Sequence, residues 1–319
     1  MVLTSITSDA IEARARQLGA DIVGIVRSEP LVHEAEDLER WLQLGYHGAM
    51  SWMARNPDIR NDPSKLLPGC RSIVMIAVNY YTPHHHLRFP NFPRISRYAW
   101  GRDYHHLLGD LLKKLRDEMD DVARETGIYG ARYRVAVDTS PFRDKVWAQR
   151  AGIGWIGKNS LLLTRQFGSW VFLGALLTTL ELDATSTEPH PNHCGNCHAC
   201  LDACPTGAIV RPGQIDARAC LSYLTIEYGG KIQSRYQDRF EGWIFGCDTC
   251  QDVCPWNARF ARPARIPHFS PRDGLLVPDL QLFGHMTAKE YDMLTKDTPL
   301  RRAGRDRLRR NALAVMGLL

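Results

Sequence analysis

CGNCHACLDACP at residues 194–205 places cysteines at 194, 197, 200 and 204, the last followed by proline. A second run, CDTCQDVCP at 247–255, repeats the pattern without its first cysteine, because position 244 is Ile244. Three thiolates at this spacing fit three corners of a [4Fe–4S] cube, and the fourth cysteine of such a run ligates a different cluster. Cys220, between the two runs, supplies the absent ligand. The cross-over then assigns Cys194, Cys197, Cys200 and Cys254 to one cluster, and Cys204, Cys220, Cys247 and Cys250 to the other. Zinc is the competing reading, but zinc sites usually show paired knuckles without the third cysteine and the Cys-Pro turn. Two [4Fe–4S] clusters imply one-electron transfer, and therefore redox chemistry elsewhere in the chain.

The rest of the composition agrees with that compartment. Eight of nine cysteines lie between Cys194 and Cys254, which points to metal rather than a disulfide scaffold. Cys70, outside the cluster region, reads as a core thiol. The opening MVLTSITSDAIEARARQ has no charged segment leading into an apolar stretch and no twin arginine, and no apolar run approaches membrane length. A cytoplasmic protein away from membranes is the expectation. At 319 residues and 44% apolar, the chain can bury the cores of two ordinary domains. Its net charge of +5 is too mild to name a partner, but residues 259–319 carry 12 basic against 6 acidic side chains.

Upstream, helical and strand patterns alternate. Residues 8–19, 31–45 and 105–126 predict helices, while 21–26, 72–81 and 133–138 predict strands, with more apolar segments between 160 and 179. The fold class is α+β. Expected boundaries are 1–185 for a catalytic domain, 186–260 for a ferredoxin-like module, and 261–319 for a helical segment whose last apolar residues lack a following partner. Asp138 ends the 133–138 strand, just before a turn. It has two readings there: a buried carboxyl with a raised pKa serving as an acid, or an Asx turn or cap for the helix opening near Pro141. Asp103-Tyr104-His105 only approximates a cobalt-ligating D-x-H-x-x-G, so His105 reads as a helix-start residue. No G-x-G-x-x-G opens a βα unit, and Gly152–Lys158 imitates a P-loop only superficially.

Several motifs together resemble the epoxyqueuosine reductase family, cobalamin- and iron–sulfur-dependent enzymes that complete queuosine in tRNA. They are Arg97-Tyr98 with Gly101–His105, Val137–Pro141, Ala151–Asn159, Phe167–Trp170, both cysteine runs, and CLSYLTIE at 220–227. The resemblance runs from about residue 10 to the end. It implies a nitroreductase-like cobalamin-binding domain, then a two-[4Fe–4S] ferredoxin-like module, then the start of a truncated HEAT-like region. It also implies that Asp138 is the proton donor, that Arg60 lies near the corrinoid, and that Lys158, Asn159, Ser222 and Asp248 are further cofactor contacts. After Pro141 the chain departs from the family pattern with Phe142-Arg143-Asp144, where Asp144 keeps a charge. The implied partners are a tRNA with a G-U-N anticodon and an external electron donor of flavodoxin or ferredoxin type, acting on a monomer. Arg301, Arg302, Arg305, Arg307, Arg309 and Arg310 read either as phosphate contacts or as a solvated helix face. Two rivals share parts of this pattern. A corrinoid-dependent reductive dehalogenase would usually carry a twin-arginine signal, and a plain ferredoxin would leave the first 180 or so residues without a purpose.

Overall fold

SIVMIAVN is the centre of the fold because all eight of its residues are buried. In the computed structural model, which describes residue 3 and residues 5–86, 92–186 and 188–318, it forms the second of four main strands. These are β1 (Ile22–Arg27), β2 (Ser72–Asn79), β3 (Tyr133–Ala136) and β4 (Val171–Thr178). Their spatial order is β1-β2-β4-β3 with every pairing antiparallel; Ile22 faces Ala77, Ser72 faces Thr178, and Tyr133 faces Thr178. The helices that matter below are α1 (Ser8–Leu18), α2 (Val32–Gln43), α3 (Tyr104–Glu125), α4 (Asp144–Arg150), α5 (Leu221–Ile226), α6 (Leu280–His285) and α7 (Arg305–Val315).

An antiparallel strand usually alternates apolar and polar residues because one face meets water. β2 has no such alternation because both faces of the sheet are covered. Val74, Ile76 and Val78 point to one side, where α1 and α3 contribute Ile11, Ala15, Leu108, Leu112 and Leu115. Ile73, Met75 and Ala77 point to the other, against Val146, Trp147 and Ala148 of α4. A mixed α and β architecture in three layers results.

The cysteine-bearing segment does not hang from this sandwich as a separate bead. Trp243–Phe245 pairs in parallel with Arg94–Ile95, so a strand of the later segment is completed by the earlier one. A further core joins Ile95 and Trp100 to Phe245, Leu275, Phe283, Leu308 and Ala312. The expectation that the last apolar residues lack a partner is therefore corrected. Helix α7 packs on α5, α6 and Trp243–Phe245, and it buries Leu308, Asn311, Ala312 and Ala314. Asn311 fixes the docking by donating Nδ2 to the carbonyls of Thr225 and Ile244, each at 2.8 Å. Among the described residues no helix is long and apolar enough to cross a membrane.

Candidate active site and thiol clusters

Strand β3 ends at Ala136, and two residues later Asp138 takes a left-handed backbone conformation with φ of +47°. That conformation is uncommon for a residue other than glycine and turns the side chain off the strand path. The carboxylate caps nothing: α4 begins only at Asp144, its N-cap is Arg143, and no side-chain cap is made there. Instead, Asp138 Oδ2 lies 3.3 Å from His105 Nε2, while His105 Nδ1 lies 2.6 Å from Asp103 Oδ1. Asp103 is also the N-cap of α3, accepting from the His105 backbone N–H at 3.0 Å. His105 is thus the helix-start residue the sequence predicts, with both ring nitrogens engaged by carboxylates.

This geometry corrects the expected electrostatics of Asp138. Its side chain is 64% exposed, and the hydrogen bond from His105 lowers its pKa against the opposing effect of burial. The proton is held by the histidine. Burial pulls His105 down, but hydrogen bonds to Asp103 and Asp138 outweigh it and raise its pKa to about 9. Tyr104, stacked between Phe172 at 4.1 Å and His105 at 4.2 Å, also contacts the Asp138 carboxylate.

Next to Asp138 lies a set of charged groups that the fold leaves incompletely satisfied. Arg60 Nη2 donates to the carbonyl of Trp52 at 3.1 Å, but its buried Nε has no partner among the described residues. Asp144 Oδ1 and Ser160 Oγ are orphaned in the same way. Burial, aided by the charge of Asp138, raises the Asp144 carboxyl to about 7, and burial lowers Arg60, Arg143 and Lys145. Buried polar atoms without partners are costly and mark places where a ligand completes the bonding. Guanidinium, carboxyl and hydroxyl groups together suit a large ligand rimmed with amides, so the residues present fit a corrinoid.

The eight thiols lie close to one another in two neighbouring surroundings. Cys194, Cys197, Cys200 and Cys254 line one cavity together with Lys158, Asn159, Leu163 and Trp256. Lys158 closes its rim, with Nζ donating to the carbonyls of Gly195 at 2.7 Å and Cys197 at 2.8 Å. Lys158 and Asn159 are thus placed beside the first thiol set. Among the others Cys220 senses the charge of Cys204, Cys247 that of Cys220, and Cys250 those of Cys247, Cys220 and also Cys200. Burial raises Cys220, Cys247 and Cys250. Cys204, Cys220 and Cys247 pack against a core of Leu221, Tyr223, Phe240 and Trp243. Ser222 is half-buried beside Cys220. Among the described residues no group of three or more His, Cys, Asp or Glu is arranged to hold a single metal ion. Cys70 is buried, as a core thiol should be.

Glycine 168 locks the first set to the sandwich. Its φ is +60°, and a Cβ there would stand 2.0 Å from Asn257 Oδ1. The bare backbone instead lets Ser169 N donate to Asn257 Oδ1 at 2.6 Å, while Asn257 Nδ2 donates to Gln251 O at 2.8 Å.

Asp248, beside Cys247, is fully buried and accepts from the Ser96 hydroxyl and from Arg97 N at 2.7 Å. Burial raises its pKa and those two bonds oppose it. Arg97 carries a feature that the motif match did not reveal. Its guanidinium is enclosed by the rings of Trp100, Tyr81 and Trp170, at 4.7, 4.9 and 4.9 Å, and donates to Thr82 O at 2.8 Å. Tyr98, next in sequence, is half-buried and feels the charges of both Asp138 and Asp248.

The C-terminal arginines fit neither of their two readings as a group. Arg310 donates to the carbonyls of Leu224, Tyr228 and Gly230, and Arg307 to that of Glu227. Arg302 pairs with Glu227 at 2.9 Å and acts electrostatically on Asp138. Arg307 and Arg310 are therefore structural, because they satisfy carbonyls where α5 ends.

Known proteins match this arrangement along nearly all its length. The chain is 44% identical over 281 residues to the epoxyqueuosine reductase of Synechocystis sp., covering 88% of this chain and 94% of that one. The chain belongs to the epoxyqueuosine reductase family. The epoxyqueuosine reductase of Atelocyanobacterium thalassa is 40% identical over 315 residues, covering 98% of this chain and 99% of the relative. Two family models match: "Epoxyqueuosine reductase QueG, DUF1730" over residues 60–139, and "4Fe-4S double cluster binding domain" over residues 193–257. A crystal structure of epoxyqueuosine reductase with an epoxyqueuosine-modified tRNA-Tyr stem loop superposes with a TM-score of 0.88 at 29% identity, covering 97% of this chain and 80% of the other. The first of these family models ends at Asp138-Thr139, and the second spans all eight clustered cysteines.

Proposed function

We propose that this chain reduces epoxyqueuosine to queuosine at the wobble position of tRNA, on substrates with a G-U-N anticodon. The observation that carries this reading is the Asp138 carboxylate, turned off the backbone and onto His105 within the segment shared with epoxyqueuosine reductases. Converting the epoxide to the cyclopentene consumes two electrons and two protons and releases water.

Residues 1–185 would hold cobalamin, with Arg60, Asp138 and Asp144 as the residues that would bind it. Residues 186–260 hold two [4Fe–4S] clusters, one on Cys194, Cys197, Cys200 and Cys254, the other on Cys204, Cys220, Cys247 and Cys250. Residues 261–319 brace the second cluster's wall and present Arg302 toward the RNA side. Lys158, Asn159, Ser222 and Asp248 support the clusters rather than the corrinoid. When bound, cobalamin supplies a low-valent cobalt able to open the epoxide, and the clusters supply it with electrons one at a time. His105, protonated at neutral pH, holds the proton, and Asp138 relays it across 3.3 Å to the oxygen leaving the epoxide. General acid catalysis of this kind contributes roughly 10²–10⁴-fold. The chain works as a cytoplasmic monomer fed by a separate electron donor.

The test is an anaerobic reaction on tRNA carrying epoxyqueuosine, with and without cobalamin, followed by nucleoside mass spectrometry. Conversion to queuosine only with cobalamin is the expected result. Absence of conversion by protein loaded with both clusters and cobalamin overturns the reading.

A further inference from the structure

We infer that the face around Cys197 is the docking surface for a small acidic one-electron donor protein of flavodoxin type. The inference rests on the assignment of Cys194, Cys197, Cys200 and Cys254 to a cluster, and it says where that cluster receives its electrons.

Cys197 is the exposed member of the eight clustered thiols, and the others are half-buried. Around it the surface is cationic. Arg165 Nη2 lies 3.0 Å from His193 Nε2, immediately before Cys194, and the carbonyl of His193 accepts from Trp256 Nε1 at 3.3 Å. The helix Pro255–Phe260 then runs from the thiol cavity to Arg259, whose guanidinium lies over the Phe260 ring. Beyond it Arg262, with Arg16, Arg265 and Phe167, walls an open cavity of about 400 Å³. Arg265 is neutralised by Asp21 at 2.7 Å and Arg16 faces Glu12 at 3.7 Å. Arg165, Arg259 and Arg262 have no carboxylate partner among the described residues; their contacts are a histidine, a ring and backbone carbonyls.

Three uncompensated, exposed guanidinium groups beside an exposed cluster ligand form an electrostatic target rather than a structural brace. Charge complementarity of this kind mainly raises association rates and is screened by salt, and transient redox encounters bury little surface. The exposed Val253 and Pro255 supply a neutral centre between these charges. A polyanionic RNA is the other acidic partner available. It belongs instead at Asp138, where the chemistry occurs and where the nearby cation is Arg302. On docking, one electron leaves the donor's reduced flavin and enters the cluster, and no atoms are exchanged between the proteins.

The experiment uses the full chain with reconstituted clusters and compares it with the double variant R165E/R259E. Reduced flavodoxin and dithionite are used in turn to bleach the cluster absorbance in a stopped-flow instrument. Binding of oxidised flavodoxin and of a tRNA stem loop is titrated in parallel. Bleaching by flavodoxin is expected to slow by roughly tenfold or more at low salt and to lose its salt dependence. Bleaching by dithionite and RNA binding should not change. An unchanged flavodoxin rate overturns the docking face, as does weakened RNA binding with flavodoxin binding intact. A wild-type chain that holds no iron and sulfide, or that dithionite does not bleach, overturns the cluster assignment beneath it.

Discussion

The two thiol sets are built from near copies of one motif, yet their surroundings are opposite. The first set lines a cavity that reaches the surface at Cys197, is rimmed by Lys158, and is flanked by free arginines. The second is pressed into the core, behind Tyr223, Phe240 and Trp243, and its neighbour Asp248 is held by the Ser96 hydroxyl and Arg97 N. One duplicated sequence thus provides an outer station and an inner one. The two surroundings differ although the motifs are alike.

Loss of an inner ligand should have the largest effect. Cys247→Ser is expected to retain about half the iron, consistent with one of two clusters, and to abolish turnover whichever reductant is used. Cys197→Ser should suffer mainly when a protein donor supplies the electrons. Equal defects with both reductants in both variants would break the distinction between the stations.

Arg97 comes next. Removing this buried guanidinium from its ring cage is expected to cost about 2–4 kcal/mol in a urea unfolding titration of Arg97→Met. Arg97→Lys should not restore it, because an ammonium cannot stack among three rings as a planar guanidinium does. Full stability of the lysine variant would mean that the cage needs only a charge.

Asn311→Ala tests whether α7 holds the inner wall. The variant leaves the carbonyls of Thr225 and Ile244 without their donor, at a cost of about 1–3 kcal/mol. Because Gly246 N donates to Thr225 Oγ1 at 2.9 Å, the inner cluster should also become easier to lose on dilution. Iron retention equal to the wild type would detach α7 from the inner station.

The smallest effect concerns pH. His105 has a folded pKa near 9 against an ordinary 6.5, so its carboxylate contacts stabilise the fold fully below pH 6.5. That contribution disappears as pH rises through about 9. The stability difference between wild type and His105→Gln should therefore shrink across that window in denaturation measured at several pH values. A difference that stays constant would mean His105 is not the protonated partner.

Sequence reading was strongest where chemistry fixes spacing. The cysteine spacing marks the thiol region outright, and one cavity gathers Cys194, Cys197, Cys200 and Cys254. Helices and strands of the sandwich were legible for a similar reason: periods of 3.6 and 2 are local. What is not local was hidden. The Asp138–His105 contact joins residues 33 positions apart, and the carboxylate's lowered pKa follows from that partner rather than from burial. Arg97 shows no periodic signal, because its cage is assembled from Tyr81, Trp100 and Trp170. The α7 packing has no local signal, because its partners Thr225 and Ile244 lie far upstream in sequence.

The most direct test of the account compares wild type with Asp138→Asn, both loaded with iron, sulfide and cobalamin, in single turnover on tRNA carrying epoxyqueuosine. The account predicts unchanged cofactor spectra and RNA binding, with queuosine formation slowed roughly 10²-fold or more. Formation at the wild-type rate would remove Asp138 as the acid and contradict the account.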